Sequence, residues 1–373
     1  MKDIIEEVVR NNTKTTAGKD NTKKKLEKID DDLKKLLDKK ITNIKVIGSG
    51  GAGNNTLARL AQIGIEGAEL IAMNTDAQDL LYADADDKIL MGEEIAMGLG
   101  AGSDPKKGED AAKESKDSIE KTIGNSDMVF ITCGLGGGTG TGSAPVIAQI
   151  AKKQNCLTIA IVTLPFSMEG RARQTNAKEG LKKLESIVDT LIVIPNDKLI
   201  TIVPDVSIET AFKVADEILV NAVKGITELV TKPGLINLDF ADIKAVMTEG
   251  GLAMIGMGQS DTENRAEEAV NKALSNPLLD VDVDGADGAL INITGGSDLT
   301  LKESQEVVNT VSSRLDPNAK IIWGAQIQKD FGEALRVMII VTGVSSPQIF
   351  GGEHTFKKEE QKEIEKELGI DFI

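Results

Sequence analysis

The residues of this chain best placed to do chemistry are glycines. Three glycine-rich stretches occur: Gly48-Ser49-Gly50-Gly51-Ala52-Gly53, Gly98-Leu99-Gly100-Ala101-Gly102, and Gly136-Gly137-Gly138-Thr139-Gly140-Thr141-Gly142. Each stands at the C-terminal end of a predicted strand or just beyond it, the edge on which open α/β sheets bind ligands. The first fits the G-x-G-x-x-G fingerprint of dinucleotide-binding units, although a tight strand-to-helix turn accounts for it equally well. The third opens a predicted helix, so unhindered backbone N–H groups converge on the positive end of the helix dipole, an arrangement that binds phosphate. Thr139, Thr141 and Ser143 add uncharged hydroxyl donors. Five glycines within residues 136–145 lose much chain entropy on ordering, which argues for more than a turn. Three convergent loops suit a triphosphate better than a pyrophosphate. No G-x-x-x-x-G-K-[ST] sequence is present and no lysine lies in the glycine motifs. The phosphate charge therefore falls to amides, helix dipoles and a Mg²⁺ that keeps several waters, with no protein metal ligand expected.

Other chemistries are disfavoured by composition. The single histidine, His354, lies in a polar C-terminal stretch, which removes histidine-based triads from the folded body. Cys133 and Cys156 lack metal-ligand spacing and read as reduced core residues. A net charge of -16 argues against nucleic acid as a partner, since phosphate neutralisation needs clustered Lys and Arg. No apolar run approaches the roughly 20 residues that span a bilayer, and Met1-Lys2-Asp3 opens no signal peptide. The expectation is a cytoplasmic protein without direct membrane insertion.

The elements that must position the loops follow from periodicity. Ile44–Ile47, Leu70–Met73, Met128–Cys133, Thr158–Leu164 and Thr190–Ile194 read as strands alternating with helices, which predicts an α/β fold with a doubly wound parallel sheet. From Ser207 to about Thr231 the apolar spacing is helical throughout, interrupted by Gly225 alone, and predicts one helix roughly 35 Å long that stops at Lys232-Pro233-Gly234. Four further strands, with helices at Glu263–Leu274 and Lys302–Leu315, predict a smaller α+β domain. The expected division is a charged extension (1–40), a nucleotide domain (41–206), a central helix (207–231), an α+β domain (232–344) and a polar tail (345–373). Ile364, Leu368 and Ile370 are the candidate contact stripe on a charged helix expected in that tail.

The stretches "GSGGAGNN", "MNTDAQ", "GLGAG", "GGGTGTGSAP", "LPFSMEGRAR", "FKVADEIL" and "NLDFAD" occur in this order. This series resembles the tubulin/FtsZ superfamily, and within it the archaeal-type cell-division GTPases, over about Ile41 to Val344. The resemblance implies a tubulin-like fold: a Rossmann-type GTPase domain, a long central helix and a C-terminal domain of the chorismate-mutase-like type. It also implies a GTP-dependent filament former at the division site, using GTP/GDP with Mg²⁺ held through phosphates and water. Its partners would be its own copies head to tail and, through the tail, division proteins or a membrane adaptor. The tail departs from the familiar bacterial C-terminal peptide, which leaves the adaptor unspecified.

By the same resemblance, Gly50, Gly51, Ala52, Gly53 and Asn54 lie along the phosphates and sugar, with Asn74 and Asp76 beside them. Gly137, Gly138, Thr139, Gly140, Thr141 and Gly142 grip the α- and β-phosphates, and Gly100, Ala101 and Gly102 sense the γ-phosphate. Glu169 matches the ribose acceptor and Arg173 its neighbouring cation, with Asn176 close by; a surface i, i+4 ion pair is the plainer account. Asp216 matches the group that reads the base. A carboxylate accepts from N1–H and the 2-amino group of guanine, whereas adenine would leave it unpaired; a solvated helix position is the alternative. Asn237, Asp239 and Asp242 match a catalytic loop inserted into the nucleotide site of the next subunit. Their spacing alone reads as an N-cap with an acidic partner in the first turn. About 16 residues of helix, roughly 24 Å, separate this loop from Asp216, which favours action in trans. A nucleotide-bound scaffold without turnover and a dinucleotide oxidoreductase are the rival readings.

Overall fold

The computed structural model describes residues 42–202, 207–232, 234–236, 238–279, 286–328 and 331–344. The N-terminal extension, the tail with Ile364, Leu368 and Ile370, and Asn237 lie outside them. β1 (Ile44–Ser49) enters α1 (Gly50–Ile63), and β2 (Ala68–Asn74) enters α2 (Ala77–Tyr82). β3 (Asp87–Leu90) precedes α3 (Glu93–Ala96), α4 (Pro105–Glu114) and α5 (Lys116–Ile123). β4 (Met128–Gly134) enters α6 (Thr139–Lys153), β5 (Leu157–Leu164) leads through a 3-10 turn to α7 (Arg171–Glu185), and β6 (Thr190–Pro195) enters α8 (Asn196–Ile202). The long helix α9 (Ile208–Thr231) follows, then α10 (Phe240–Met247), β7 (Gly251–Ser260), α11 (Arg265–Leu274), β8 (Gly288–Gly295), α12 (Leu301–Ser312), β9 (Lys320–Ile327) and β10 (Leu335–Thr342).

The strands form one ten-stranded sheet in the order β3-β2-β1-β4-β5-β6-β7-β10-β8-β9. β3 through β6 pair in parallel, so every βα junction of this half opens on one edge. The sequence pattern separates two sets of strands, and the structure joins them: Thr190–Ile192 of β6 pair in parallel with Gly251–Ala253 of β7. Without that short register β6 would be an open edge. β10 then lies antiparallel between β7 and β8, and β9 closes the sheet parallel to β8.

Both faces are covered, which is why these strands read as nearly continuous apolar runs. Ile47, Ile71, Val129 and Ile131 pack with α4, α6 and α7 on one face. Val46, Leu70, Met128 and Phe130 pack with α1 and α9 on the other. The Ser207 hydroxyl caps α9 by accepting from the Thr210 amide at 3.2 Å, and Lys232 ends it in extended backbone, as suits a residue before proline. α9 joins the halves, because Leu219, Val223 and Ile226 share a core with Leu290, Met338 and Ile340 of the later strands. Gly225 is explained here: a Cβ on it would stand 2.4 Å from Met338 Cε.

Candidate functional site

Two helices begin at the sheet edge without a side-chain cap. α1 starts after Ser49 and α6 after Gly138, neither has a capping hydrogen bond, and neither has an acidic residue in its first turn. By contrast, Asp76 caps α2 and Asp104 caps α4. An uncapped helix leaves its first amides unsatisfied and its positive dipole end exposed. Both uncapped ends open on one cleft of about 470 Å³, lined by Ser49, Gly50, Gly51 and Ala52 from the first loop and Gly137, Gly138, Thr139 and Gly140 from the third.

The loops hold one another through backbone contacts that exclude side chains. Gly50, at φ +70°, leaves 3.0 Å between a Cβ and the Gly140 nitrogen, and a Cβ on Gly138 would meet the Ala101 Cβ at 2.8 Å. Gly100, at φ +78°, donates its amide to the Thr75 carbonyl at 3.0 Å, and Gly102 also needs positive φ. Hydroxyls pin the same region: Thr75 Oγ1 to Thr139 Oγ1 at 2.6 Å, and Ser49 Oγ to Ser143 Oγ at 2.5 Å.

Beyond the glycines the cleft is lined by Glu169, Arg173 and Asp216. Arg173 Nη1 donates to Glu169 Oε2 at 2.5 Å, while Glu169 Oε1 accepts the Phe166 amide at 2.8 Å. The i, i+4 pair is therefore formed, and it faces the cleft. Asp216 is half-buried, and burial pushes its carboxyl up to about 6. Phe212, one turn earlier on α9, lines the cleft and stands edge-on to Phe166 with ring centroids 5.3 Å apart.

Several expected residues sit behind the cleft. Gly53 is buried where a Cβ would meet the Thr132 carbonyl at 2.5 Å, so it serves close packing of α1 on the sheet. Helical phase turns Asn54 inward, where neither of its side-chain polar atoms has a hydrogen-bond partner, and places Asn55 on the cleft lining. Thr141 is buried and accepts the Gly136 amide at 2.9 Å, and Gly142 packs on Pro105. Asn74 Nδ2 donates to Asp79 at 2.7 Å. Asn176 Nδ2 donates to the carbonyls of Ser103 at 3.2 Å and Gly136 at 3.3 Å, tying α7 to the second and third loops. Ala101 is buried against the third loop. Asp239 and Asp242 do not line the cleft. They form a capping box on α10, with Asp239 Oδ1 accepting the Asp242 amide at 2.8 Å.

Asn196, Thr163 and Pro165 also line the cleft. Asn196 is buried, and its Oδ1 has no hydrogen-bond partner. The rule that ligands bind beyond strand C-termini points to all three, and Phe212 lies one helical turn from Asp216 on the same face. Cys133 and Cys156 are buried free thiols. Among the described residues no helix is long and apolar enough to cross a membrane.

The model of the tubulin/FtsZ family GTPase domain matches residues 43–204, and that of the FtsZ family C-terminal domain matches residues 251–345. The chain is 62% identical over 317 residues to cell division protein FtsZ 1 of Methanocaldococcus jannaschii, covering 85% of this chain and 87% of that one. It is 52% identical over 377 residues to cell division protein FtsZ 1 of Archaeoglobus fulgidus, covering 100% and 99%. A solved FtsZ dimer of M. jannaschii matches with a TM-score of 0.81 at 61% identity, covering 84% of this chain and 92% of that one.

Proposed function

The chain belongs to the FtsZ family of tubulin-like GTPases, and we propose that it polymerises head to tail, completing each GTP-hydrolysing site with a neighbouring subunit during cell division. One observation carries this reading. The cleft gathers two uncapped helix ends, two carboxylates and a buried unpaired acceptor, while the acidic pair Asp239 and Asp242 stands outside it. Residues 41–206 form the GTPase domain, 207–231 the central helix and 232–344 the second domain.

GTP binds with its phosphates on the amides of Gly50 to Ala52 and Gly137 to Gly140. Glu169 accepts from a ribose hydroxyl. Asp216 accepts from N1–H and the 2-amino group of guanine, Asn196 Oδ1 offers a further acceptor at the cleft wall, and adenine leaves Asp216 without a partner.

The donor set fits a hydrated magnesium ion. Arg173 is the one cation among the cleft-lining residues and is already paired with Glu169, so a triphosphate enters with its charge largely uncompensated. Magnesium would neutralise that charge through phosphate oxygens and waters. Amides and hydroxyls orient the nucleotide, and the loop of Asn237, Asp239 and Asp242 on the next subunit brings carboxylates to the attacking water. Such an interface is heterologous and does not close, the condition for a filament. The protein works in the cytoplasm at the division site, where the tail recruits an adaptor or other division proteins.

GTP turnover measured against protein concentration, with pelleting in parallel, tests the reading. The rate per subunit should rise steeply at the concentration where pelleting begins. A constant rate per subunit from the monomer upward would refute completion of the site between subunits.

A further inference from the structure

We infer that Asp197 is a positioning residue of the nucleotide cleft: its carboxylate fastens the turn that carries Glu169 to the chain leaving β6, and so sets where Glu169 meets the ribose. This rests on the ribose role proposed above for Glu169. β5 and β6 run side by side as far as Leu164 and Pro195, the last pair of their register. Pro195 has no N–H, so the ladder ends on a missing donor. Beyond it the two chains leave the sheet as separate walls of the cleft, with Pro165 and Glu169 on one and Asn196 on the other.

Asp197 joins these walls. Its Oδ1 accepts the Ser167 amide at 2.8 Å, and its Oδ2 accepts the Ser167 hydroxyl. Ser167 opens the 3-10 turn Ser167–Glu169, so the carboxylate grips that turn two residues before Glu169. Within the turn, the Phe166 amide donates to Glu169 Oε1 and Arg173 donates to Oε2, which fixes the carboxylate relative to its own loop. The start of the loop is tied to α7, where Gln174 Nε2 donates to the Pro165 carbonyl at 3.1 Å. Of these bonds only the two made by Asp197 reach the chain that follows β6. Ser167 and Met168 are exposed, and a Cβ on Gly170 would meet nothing within 4 Å. Hydrogen bonds to charged groups, rather than packing, therefore hold this turn in place.

Affinities of the full chain for GDP and for 2′,3′-dideoxy-GDP test this, because diphosphates keep turnover out of the measurement and the analogue lacks both hydroxyls that could donate to Glu169. The parent should prefer GDP roughly tenfold or more, the scale of one hydrogen bond to a charged group. Asp197→Ala should cut that preference to about threefold or less, with affinity for the dideoxy nucleotide within about twofold of the parent, a split that general loosening of the fold does not produce. Asp197→Asn should keep the parent preference, because its Oδ1 accepts the same amide and its Nδ2 donates to the Ser167 hydroxyl. Ser167→Ala retains the amide bond and should fall between. Parent-like preference in both Asp197→Ala and Ser167→Ala would overturn the inference, and so would an equal loss of affinity for the two nucleotides. Glu169→Ala should abolish the preference; a preference that survives it would refute the ribose role of Glu169 itself, and the inference with it.

Discussion

A Cβ on Gly108 would stand 2.4 Å from the Gly138 carbonyl oxygen. Helix α4 therefore touches the head of the third loop backbone to backbone, and Gly142 touches Pro105 as closely from the other side. The loop is held in shape by a helix that does not line the cleft. Gly108→Ala should destabilise the fold by about 1–3 kcal/mol through overpacking and weaken GTP, although residue 108 meets no nucleotide. Thermal unfolding and GTP titration check both effects; unchanged GTP affinity would show that the loop keeps its shape unaided.

Asp216 gives the site a pH dependence. Its carboxyl is raised to about 6 by burial, so it is ionised above that value and protonated below it. Only the ionised form accepts both guanine donors. GTP affinity should be level from pH 7 to 8 and fall as pH drops through 6. Asp216→Asn should weaken GTP by about 1–3 kcal/mol, change ATP little and flatten the profile. The same shift opposes folding of the nucleotide-free protein above pH 6, so this variant should unfold at a higher temperature at pH 8 when no nucleotide is present. Equal GTP affinity in parent and variant would return Asp216 to a solvated-helix role.

Catalysis between subunits predicts complementation. Gly140 has the Cys133 Cβ and the carbonyls of Gly134 and Ser49 all 3.1 Å from a Cβ position, so Gly140→Trp should close the cleft. Asp242→Ala keeps its own cleft and lacks the carboxylate. Each variant alone should be nearly inactive, and their mixture should recover hydrolysis, because one interface then joins an intact cleft to an intact Asp242. No recovery on mixing, with copolymers pelleting, would contradict action in trans.

Arg265 anchors the second half of the sheet. Though buried, it donates to Glu303 at 2.6 Å, Asp298 at 2.7 Å and the Glu333 carbonyl at 2.6 Å. The guanidinium holds the Glu303 carboxyl down to about 2 from an ordinary 4.5. A depressed carboxylate stabilises the fold above its ordinary value and loses that contribution as pH falls toward 2. Arg265→Met should therefore cost about 3 kcal/mol near pH 7, and the gap from the parent should narrow by pH 3. Urea unfolding at the two pH values measures it; a gap independent of pH would mean the arginine acts through packing alone.

Much of the architecture was legible because it is local. Strand runs, the 24-residue helix and the glycine loops follow from periodicity and from the conformations glycine permits. That Asn55 rather than Asn54 lines the cleft was not legible, because adjacent helix residues differ by about 100° in direction and only packing fixes which of them faces the sheet. Phe212 and Asn196 were missed because each reaches the cleft from a different element.

By itself the sequence determined which residues could bind phosphate, accept from guanine and polarise water, since those capacities belong to side-chain types and to amides freed by glycine. It also determined the order of the main strands, although not β3 or the short helices α2 to α5 around it. Only the tertiary structure decided that β6 and β7 pair into one sheet, that α4 braces the third loop at Gly108, and that Asp239 and Asp242 stand away from the cleft. These depend on contacts between residues distant in the chain, whose geometry is set by close packing across the whole fold and leaves no local pattern to read.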